Sequence, residues 1–219
     1  MTTKHILLII ATFLFLLVGC SQGDKQQNET SQITMTDDVI SIGLESIIEK
    51  PIENNVAQMM QKKEIPVLCY HRIEAGRNDA YSVSPDLFAS HLKALSDSGY
   101  NSILPDELYN YLKYNATLPD NPFMITFDDS RKEHITIAAP ELAKHNFKGA
   151  FFIMTVTNNK KNYLTRDEIA QLANEGHTVG LHSWDHVMVT KYTDSTFWKK
   201  QVLDPQNKLE DMIGKPVNY

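Results

Sequence analysis

The sequence predicts an α/β protein in which parallel strands are covered by helices. From residue 65 onward, apolar strand-like runs alternate with amphipathic stretches of helical length. Hydrophobic residues make up 42% of the chain and charged residues 22%, which is ordinary for a globular protein. Strand–helix alternation of this kind is typical of a barrel or of a doubly wound sheet, and the pattern alone leaves both open.

The predicted elements follow one another in regular order. Apolar runs predict strands at residues 67–70, 102–104, 123–127, 150–156 and 178–181. Amphipathic spacing predicts helices at residues 85–98, 106–114, 133–145, 166–174 and 195–213. Capping and first-turn residues mark helix starts, and glycines mark helix ends: Ser84, Pro85, Pro105 and Thr165 at the starts, Gly99, Gly176 and Gly214 at the ends.

The N-terminus predicts export. A short basic start and an apolar run of about thirteen residues end in Gly19-Cys20, which describes a signal peptide over residues 1–19. The segment Leu17-Val18-Gly19-Cys20 resembles a bacterial lipoprotein box, and this resemblance implies lipidation of Cys20. The alternative is a plain signal peptide with an incidental cysteine. We expect a membrane-anchored lipoprotein of the bacterial cell envelope.

Three regions follow from this organisation: the signal peptide at 1–19, a tether with edge helices at 20–64, and one domain at 65–219. The polar stretch after Cys20 has no apolar periodicity, which is typical of a flexible tether. The net charge of −6 argues against a nucleic-acid partner. Cys69 lies within an apolar run and is predicted to be a small buried core residue.

Two adjacent carboxylates follow a predicted buried strand. Asp128 and Asp129 come directly after residues 123–127, and α/β folds place their sites at the carboxyl ends of such strands. One carboxylate is suited to bind a metal ion while its neighbour accepts a proton from water. Asp also favours turns and helix caps, so the pair alone leaves a purely structural role open.

A second segment adds imidazole ligands. His182 and His186 are four residues apart, so on one turn of helix they face the same way. Because both segments follow strands of the same array, Asp129, His182 and His186 are predicted to form a three-ligand site with positions open for water and substrate. Such an arrangement is typical of catalytic zinc. Cobalt, nickel or iron would fit the same ligands.

The motifs together resemble the polysaccharide deacetylases, the carbohydrate esterase family with the NodB-homology domain. Thr126-Phe-Asp-Asp-Ser130 is similar to the family's first motif, and His182-Ser-Trp-Asp-His186 to its second. Residues 147–153, 175–180 and 65–73 resemble the connecting and opening segments. The resemblance implies a distorted (β/α) barrel, incomplete in this chain. It implies Asp128 as general base, and Asp129, His182 and His186 as ligands of one divalent ion.

The implied reaction is hydrolysis of N-acetyl groups on an exported GlcNAc-type polysaccharide. The family's later motifs supply an orienting Arg and a general-acid His, and no residue here matches them, so we expect the chain to be part of a longer protein. Alternatives are an O-acetyl esterase and a non-catalytic glycan-binding lipoprotein. Ser130 replaces a motif glycine, which would cost on the order of 1 kcal/mol if its φ is positive.

Three further residues carry weaker predictions. His71 follows a strand and is assigned either to the active face or to a structural hydrogen bond. His177 is predicted to serve the start of a strand rather than the ion. Trp184 is predicted to fill the core in preference to packing on a sugar face.

Overall fold

The structure is a computed structural model, and it describes residues 51–77 and 79–219. These residues belong to one compact unit, Lys50–Tyr219. The predicted signal peptide, the lipidated Cys20 and most of the tether lie outside the described residues. Within the described ranges, no helix has the length and apolar character needed to cross a membrane.

The strands all run parallel to their partners. Their bounds are β1 Val67–Tyr70, β2 Arg72–Ile73, β3 Ser82–Val83, β4 Asn101–Ser102, β5 Pro122–Phe127, β6 Ala150–Ile153 and β7 Thr178–Leu181. The main sheet has the order β1-β5-β6-β7, and β4 pairs with the start of β5. A separate pair joins β2 to β3. The structure thus confirms the predicted parallel α/β arrangement.

Helices connect these strands. Their bounds are α1 Val56–Met60, α2 Pro85–Asp97, α3 Pro105–Tyr114, α4 Ala139–Lys144, α5 Arg166–Asn174, α6 Ser195–Trp198 and α7 Asp204–Ile213. The predicted capping residues act as expected, because Ser84 accepts from the Leu87 N–H and Thr165 from the Glu168 N–H. None of the residues of the short helix α1 is buried. Asn54, which lies just before α1, is buried, and its side chain donates to the Leu112 carbonyl near the end of α3.

The core lies between the sheet and its helices. Phe127, at the end of β5, stacks on Phe151 of β6 with ring centroids 4.6 Å apart. Phe88 of α2 meets Phe127 edge to face at 6.0 Å, and all three side chains are fully buried. This aromatic packing directly precedes Asp128, so the carboxyl end of β5 rests on a close-packed part of the core.

The predicted helix 133–145 contains a wider first part. His134–Ala138 is a π-helical turn, and α4 follows from Ala139. The Ala139 N–H donates to the His134 carbonyl, five residues back. Pro140 has no N–H and its ring would crowd the carbonyl four residues back, so the regular α-helical pattern cannot continue through it.

The predicted helix 195–213 is divided in the same way. α6 ends at Trp198, Lys199–Leu203 is a π-helical turn, and α7 continues to Ile213. The Asp204 N–H donates to the Lys199 carbonyl, and Pro205 comes next. In both helices a single residue therefore separates the π-helical turn from a proline, which the periodicity of apolar residues did not reveal.

The predicted strand 150–156 is shorter than expected. β6 ends at Ile153, and Thr155–Thr157 forms a turn of 3₁₀ helix. The Met154 N–H donates to the Ser130 Oγ at 2.7 Å, and the Val156 N–H donates to the Trp184 carbonyl. These amides bond to loops of the site, so the ladder cannot extend beyond Ile153.

Candidate metal centre

The carboxyl ends of three parallel strands bring the predicted site residues together. Asp128 and Asp129 follow β5, His182 follows β7, and His71 follows β1. The Asp128 N–H donates to the Tyr70 carbonyl, and the His182 N–H donates to the Ile153 carbonyl. Backbone hydrogen bonds to neighbouring strands thus fix where each of these loops begins.

Asp129, His182 and His186 form one cluster whose ligand atoms lie within 4.8 Å of one another. The Asp129 Oδ1 is 3.5 Å from the His182 Nε2 and 3.8 Å from the His186 Nε2. The first two side chains are about one quarter exposed, whereas His186 is 60% exposed. The chain therefore offers one carboxylate and two imidazoles to a common point at the edge of the sheet.

Two atoms of this cluster are buried without a hydrogen bond within the described part of the chain. They are the Asp129 Oδ1 and the His182 Nε2, which face each other at a separation longer than an ordinary hydrogen bond. Buried polar atoms without partners are costly. A divalent cation between them would satisfy both, so the residues fit the metal that the sequence motifs imply.

The cluster also shifts the acidity of its own members. Contact with the His182 imidazole is the main cause that lowers the pKa of Asp129, against the opposing effect of burial. The Asp129 carboxylate in turn raises the pKa of His182. The carboxylate is therefore held in its charged, ligating form.

The segment from His182 to His186 is a tight turn, so the prediction of a helical turn was wrong. Ser183 and His186 have left-handed φ values of 59° and 65°, and the His186 N–H donates to the Ser183 Oγ at 3.0 Å. The two imidazole rings still lie with centroids 4.7 Å apart. The four-residue spacing therefore brings the two imidazoles together as expected, but through a turn with two left-handed residues instead of a helix.

Gln201 supports this turn, and sequence analysis missed it. The residue lies in the π-helical turn Lys199–Leu203 and is fully buried. Its Oε1 accepts from the Trp184 N–H at 3.3 Å, and its Nε2 donates to the Asp185 Oδ1 at 3.0 Å. π-helical turns often occur at functional sites. The proline four residues later was the available signal.

Asp128 lies beside the cluster with a different set of neighbours. Its Oδ2 accepts a hydrogen bond from the Cys69 Sγ at 3.4 Å and lies 3.9 Å from the His71 Nε2. Cys69 is exposed, so the prediction of a buried core residue was wrong. Strand alternation explains this, because Leu68 and Tyr70 pack on the core and Cys69 faces the other side.

His71 lies on the active face, one of the two alternatives left open. Its carbonyl accepts from the Nε2 of buried His134 at 2.7 Å, which fixes the backbone there. Partial burial raises the pKa of the Cys69 thiol, and the Asp128 carboxylate raises it further.

Ser130 occupies a strained position that connects two strand ends. Its φ is +56° and that of Asp129 is +73°. The Ser130 side chain is fully buried, its Oγ accepts from the Met154 N–H, and its carbonyl accepts from the Leu164 N–H. The hydroxyl therefore provides a hydrogen bond that glycine, the residue of the resembling motif, cannot provide.

The remaining predicted residues lie outside the cluster. His177 is buried, and its Nδ1 accepts from the Gly149 N–H at 3.1 Å, which is the structural role predicted for it. Trp184 is half-buried rather than part of the core, and the Lys200 Nζ lies 4.2 Å from its ring centroid. His91, which carried no prediction, bonds through its Nδ1 to the Tyr70 hydroxyl at 2.9 Å.

Comparison with known proteins decides the family. Residues 115–219 match the sequence profile described as polysaccharide deacetylase. Residues 115–219 belong to this family. The chain is 27% identical over 148 residues to YxkH of Bacillus subtilis (strain 168), covering 67% of this chain and 52% of YxkH. It is 30% identical over 112 residues to the peptidoglycan-N-acetylglucosamine deacetylase PgdA of Listeria monocytogenes, covering 48% of this chain and 23% of PgdA.

A solved structure agrees with the fold. The Streptococcus pyogenes deacetylase PplD, solved in complex with acetate, superposes with a TM-score of 0.65 at 23% identity over 77% of this chain and 72% of PplD. The described residues therefore have a mixed α/β fold similar to the distorted (β/α) barrel of the polysaccharide deacetylases. The chain spans about half the length of YxkH and a smaller part of PgdA.

Proposed function

We propose that the whole protein hydrolyses N-acetyl groups of a GlcNAc-type polysaccharide at the cell surface, with one divalent ion held by Asp129, His182 and His186. The observation that carries the proposal is the convergence of these ligands around two buried atoms that lack partners. The named activity of PgdA, a relative over 112 residues, supports an acetylated amino sugar as the substrate. Zinc is the ion we expect, because imidazole and carboxylate are among its usual ligands.

The residues divide the chemistry between two adjacent carboxylates. Asp129 and the two imidazoles would hold the ion, which when bound would supply a Lewis acid for the acetyl carbonyl and for the attacking water. Asp128 accepts the proton of the attacking water, and the backbone bond from its N–H to the Tyr70 carbonyl fixes its position. Acetate and a free amine are the products.

The test compares two carboxylate variants of the zinc-loaded full-length protein. Asp129→Asn should lose zinc together with acetate release. Asp128→Asn should keep zinc and lose about 10²–10⁴ in kcat. Asp120→Asn is the matched control, because Asp120 is exposed and lies outside both clusters. Bound zinc is measured by mass spectrometry and acetate by an enzyme-coupled assay on an N-acetylglucosamine oligomer.

Three outcomes would contradict the proposal. Full zinc content and full acetate release in Asp129→Asn would remove the ligand assignment. Release from O-acetylated glycans alone would replace the amidase with an esterase. Oligomer binding without any release would leave a glycan-binding protein.

We also propose that Cys20 carries a lipid that anchors the protein to the membrane of the cell envelope. The lipoprotein-type segment ending at Cys20 supports this, and several acyl chains would anchor more firmly than one. Cys20→Ala should move the protein from the membrane fraction to the soluble fraction, and incorporation of labelled palmitate should disappear. Unchanged membrane association with no label in the unaltered protein would refute lipidation.

A further inference from the structure

A second group of potential metal ligands lies beside the first. The ligand atoms of Cys69, His71 and Asp128 lie within 4.8 Å of one another. The Cys69 Sγ is 3.4 Å from the Asp128 Oδ2 and 4.0 Å from the His71 Nδ1. Asp128, adjacent in sequence to Asp129, thus faces a thiol and an imidazole of its own.

The donor set is that of a zinc site. Thiolate, imidazole and carboxylate are the three side-chain ligands of zinc, with bond lengths of about 2.0–2.3 Å. A tetrahedral ion then needs its ligand atoms about 3.3–3.7 Å apart. The sulfur–oxygen distance of 3.4 Å already satisfies this. The His71 ring lies 4.0 Å from the Cys69 sulfur through its Nδ1 and 3.9 Å from the Asp128 Oδ2 through its Nε2, so the ring has to rotate to bring one nitrogen to the ion.

The backbone holds these ligands in place. Cys69 lies in β1, opposite Thr126 of β5 in the sheet register. The Asp128 N–H donates to the Tyr70 carbonyl, and the His71 carbonyl accepts from buried His134. Each ligand side chain is therefore attached to a fixed strand end, and side-chain rotation alone is enough to receive an ion. Such preorganisation reduces the cost of binding.

We propose that Cys69, His71 and Asp128 form a second zinc site, which inhibits the enzyme when zinc is in excess. Binding converts the Cys69 thiol to the thiolate, and its proton leaves to solvent. An ion held there occupies the carboxylate that accepts the water proton, so turnover stops. The inhibition rests on the proposed function, whereas the site itself does not. A nearby first ion repels a second, so the second equivalent binds more weakly.

The test measures metal content and spectra of the full-length protein. At saturating zinc, the unaltered protein should bind two equivalents, and Cys69→Ser and Asp129→Asn should each bind one. Cobalt loaded into the protein should show a thiolate-to-cobalt charge-transfer band that is absent in Cys69→Ser and retained in Asp129→Asn. Excess zinc should reduce acetate release at least tenfold in the unaltered protein, relative to its own rate at one equivalent, and less than twofold in Cys69→Ser.

The cobalt spectrum can be recorded on the unaltered protein alone, so the proposal can be tested even if a variant fails to fold. No thiolate band at saturating cobalt, or equal zinc content in the unaltered protein and Cys69→Ser, would overturn the second site. A thiolate band at two equivalents, together with no acetate release at one equivalent of zinc, would keep the site and refute the proposed deacetylase activity. Two equivalents without inhibition would overturn only the inhibitory role.

Discussion

Replacing Ser130 with alanine removes a single buried acceptor from behind the candidate metal centre. The Ser130 Oγ is fully buried and accepts from the Met154 N–H at 2.7 Å. Met154 is itself only 8% exposed, so its amide would lose its partner away from water. A buried donor left without an acceptor costs about 1–3 kcal/mol. Alanine keeps the positive φ of +56°, so no backbone strain is relieved.

The expected result is a loss of about 1–3 kcal/mol in the free energy of unfolding. For a protein of this size, each kcal/mol lowers Tm by about 2–4 °C. Guanidinium and thermal unfolding of Ser130→Ala measure both quantities. Ser90→Ala is the matched control, because Ser90 is exposed and its hydroxyl donates to the Leu87 carbonyl within α2. This control variant should change the free energy of unfolding by less than about 0.5 kcal/mol. A loss in Ser130→Ala no larger than in this control would refute the argument that the hydroxyl supports the strand ends.

Three further predictions concern other parts of the domain. Gln201→Leu should leave the fold intact but weaken zinc binding about 10–100-fold, because the turn that carries both imidazoles loses its supporting hydrogen bonds. Equilibrium dialysis with zinc measures the affinity, and an unchanged affinity would contradict this prediction. Burial is the main cause that lowers the pKa of His177 from 6.5 to about 4. The unfolded chain therefore binds more protons between these values, and stability is full above pH 6.5 and falls towards pH 4, on the order of 3 kcal/mol in total. His177→Asn, which keeps an acceptor for the Gly149 N–H, should show a shallower fall in urea unfolding across this window; equal slopes would contradict the assignment. Gly180→Ala should destabilise by about 1–3 kcal/mol, because the added carbon would lie 2.6 Å from the Phe152 ring; a melting temperature equal to that of the unaltered protein would show that the ring moves freely.

Local sequence signals were enough to predict the strand order in the chain and the convergence of the candidate ligands. The apolar runs before Asp128 and His182 are real strands, β5 and β7, and parallel pairing brings their ends to one edge. Such short-range patterns depend on burial, which the sequence records directly. The four-residue spacing of His182 and His186 predicted proximity correctly but the wrong backbone, because the left-handed residues of the turn have no side-chain signature as clear as glycine.

Features that depend on distant partners could not be predicted. Cys69 lies in an apolar run, and only the alternation of β1 against its neighbours shows that it faces Asp128 instead of the core. Gln201 belongs to a helix far along the chain, and its role follows from contacts with Trp184 and Asp185. Composition and periodicity carry no information about such pairings.

Two helices of the domain contain a π-helical turn. In these helices the number of residues is more important for the structure than the identity of most of the residues. A π-helical turn holds one residue more than an α-helical turn, so deleting one residue within Lys199–Leu203 would restore regular winding and remove the widened turn that carries Gln201. Gln201 would then point away from the loop that it supports, even though every other side chain was retained. We expect related chains to tolerate substitution along α7 far more readily than single-residue insertions or deletions between Trp198 and Pro205.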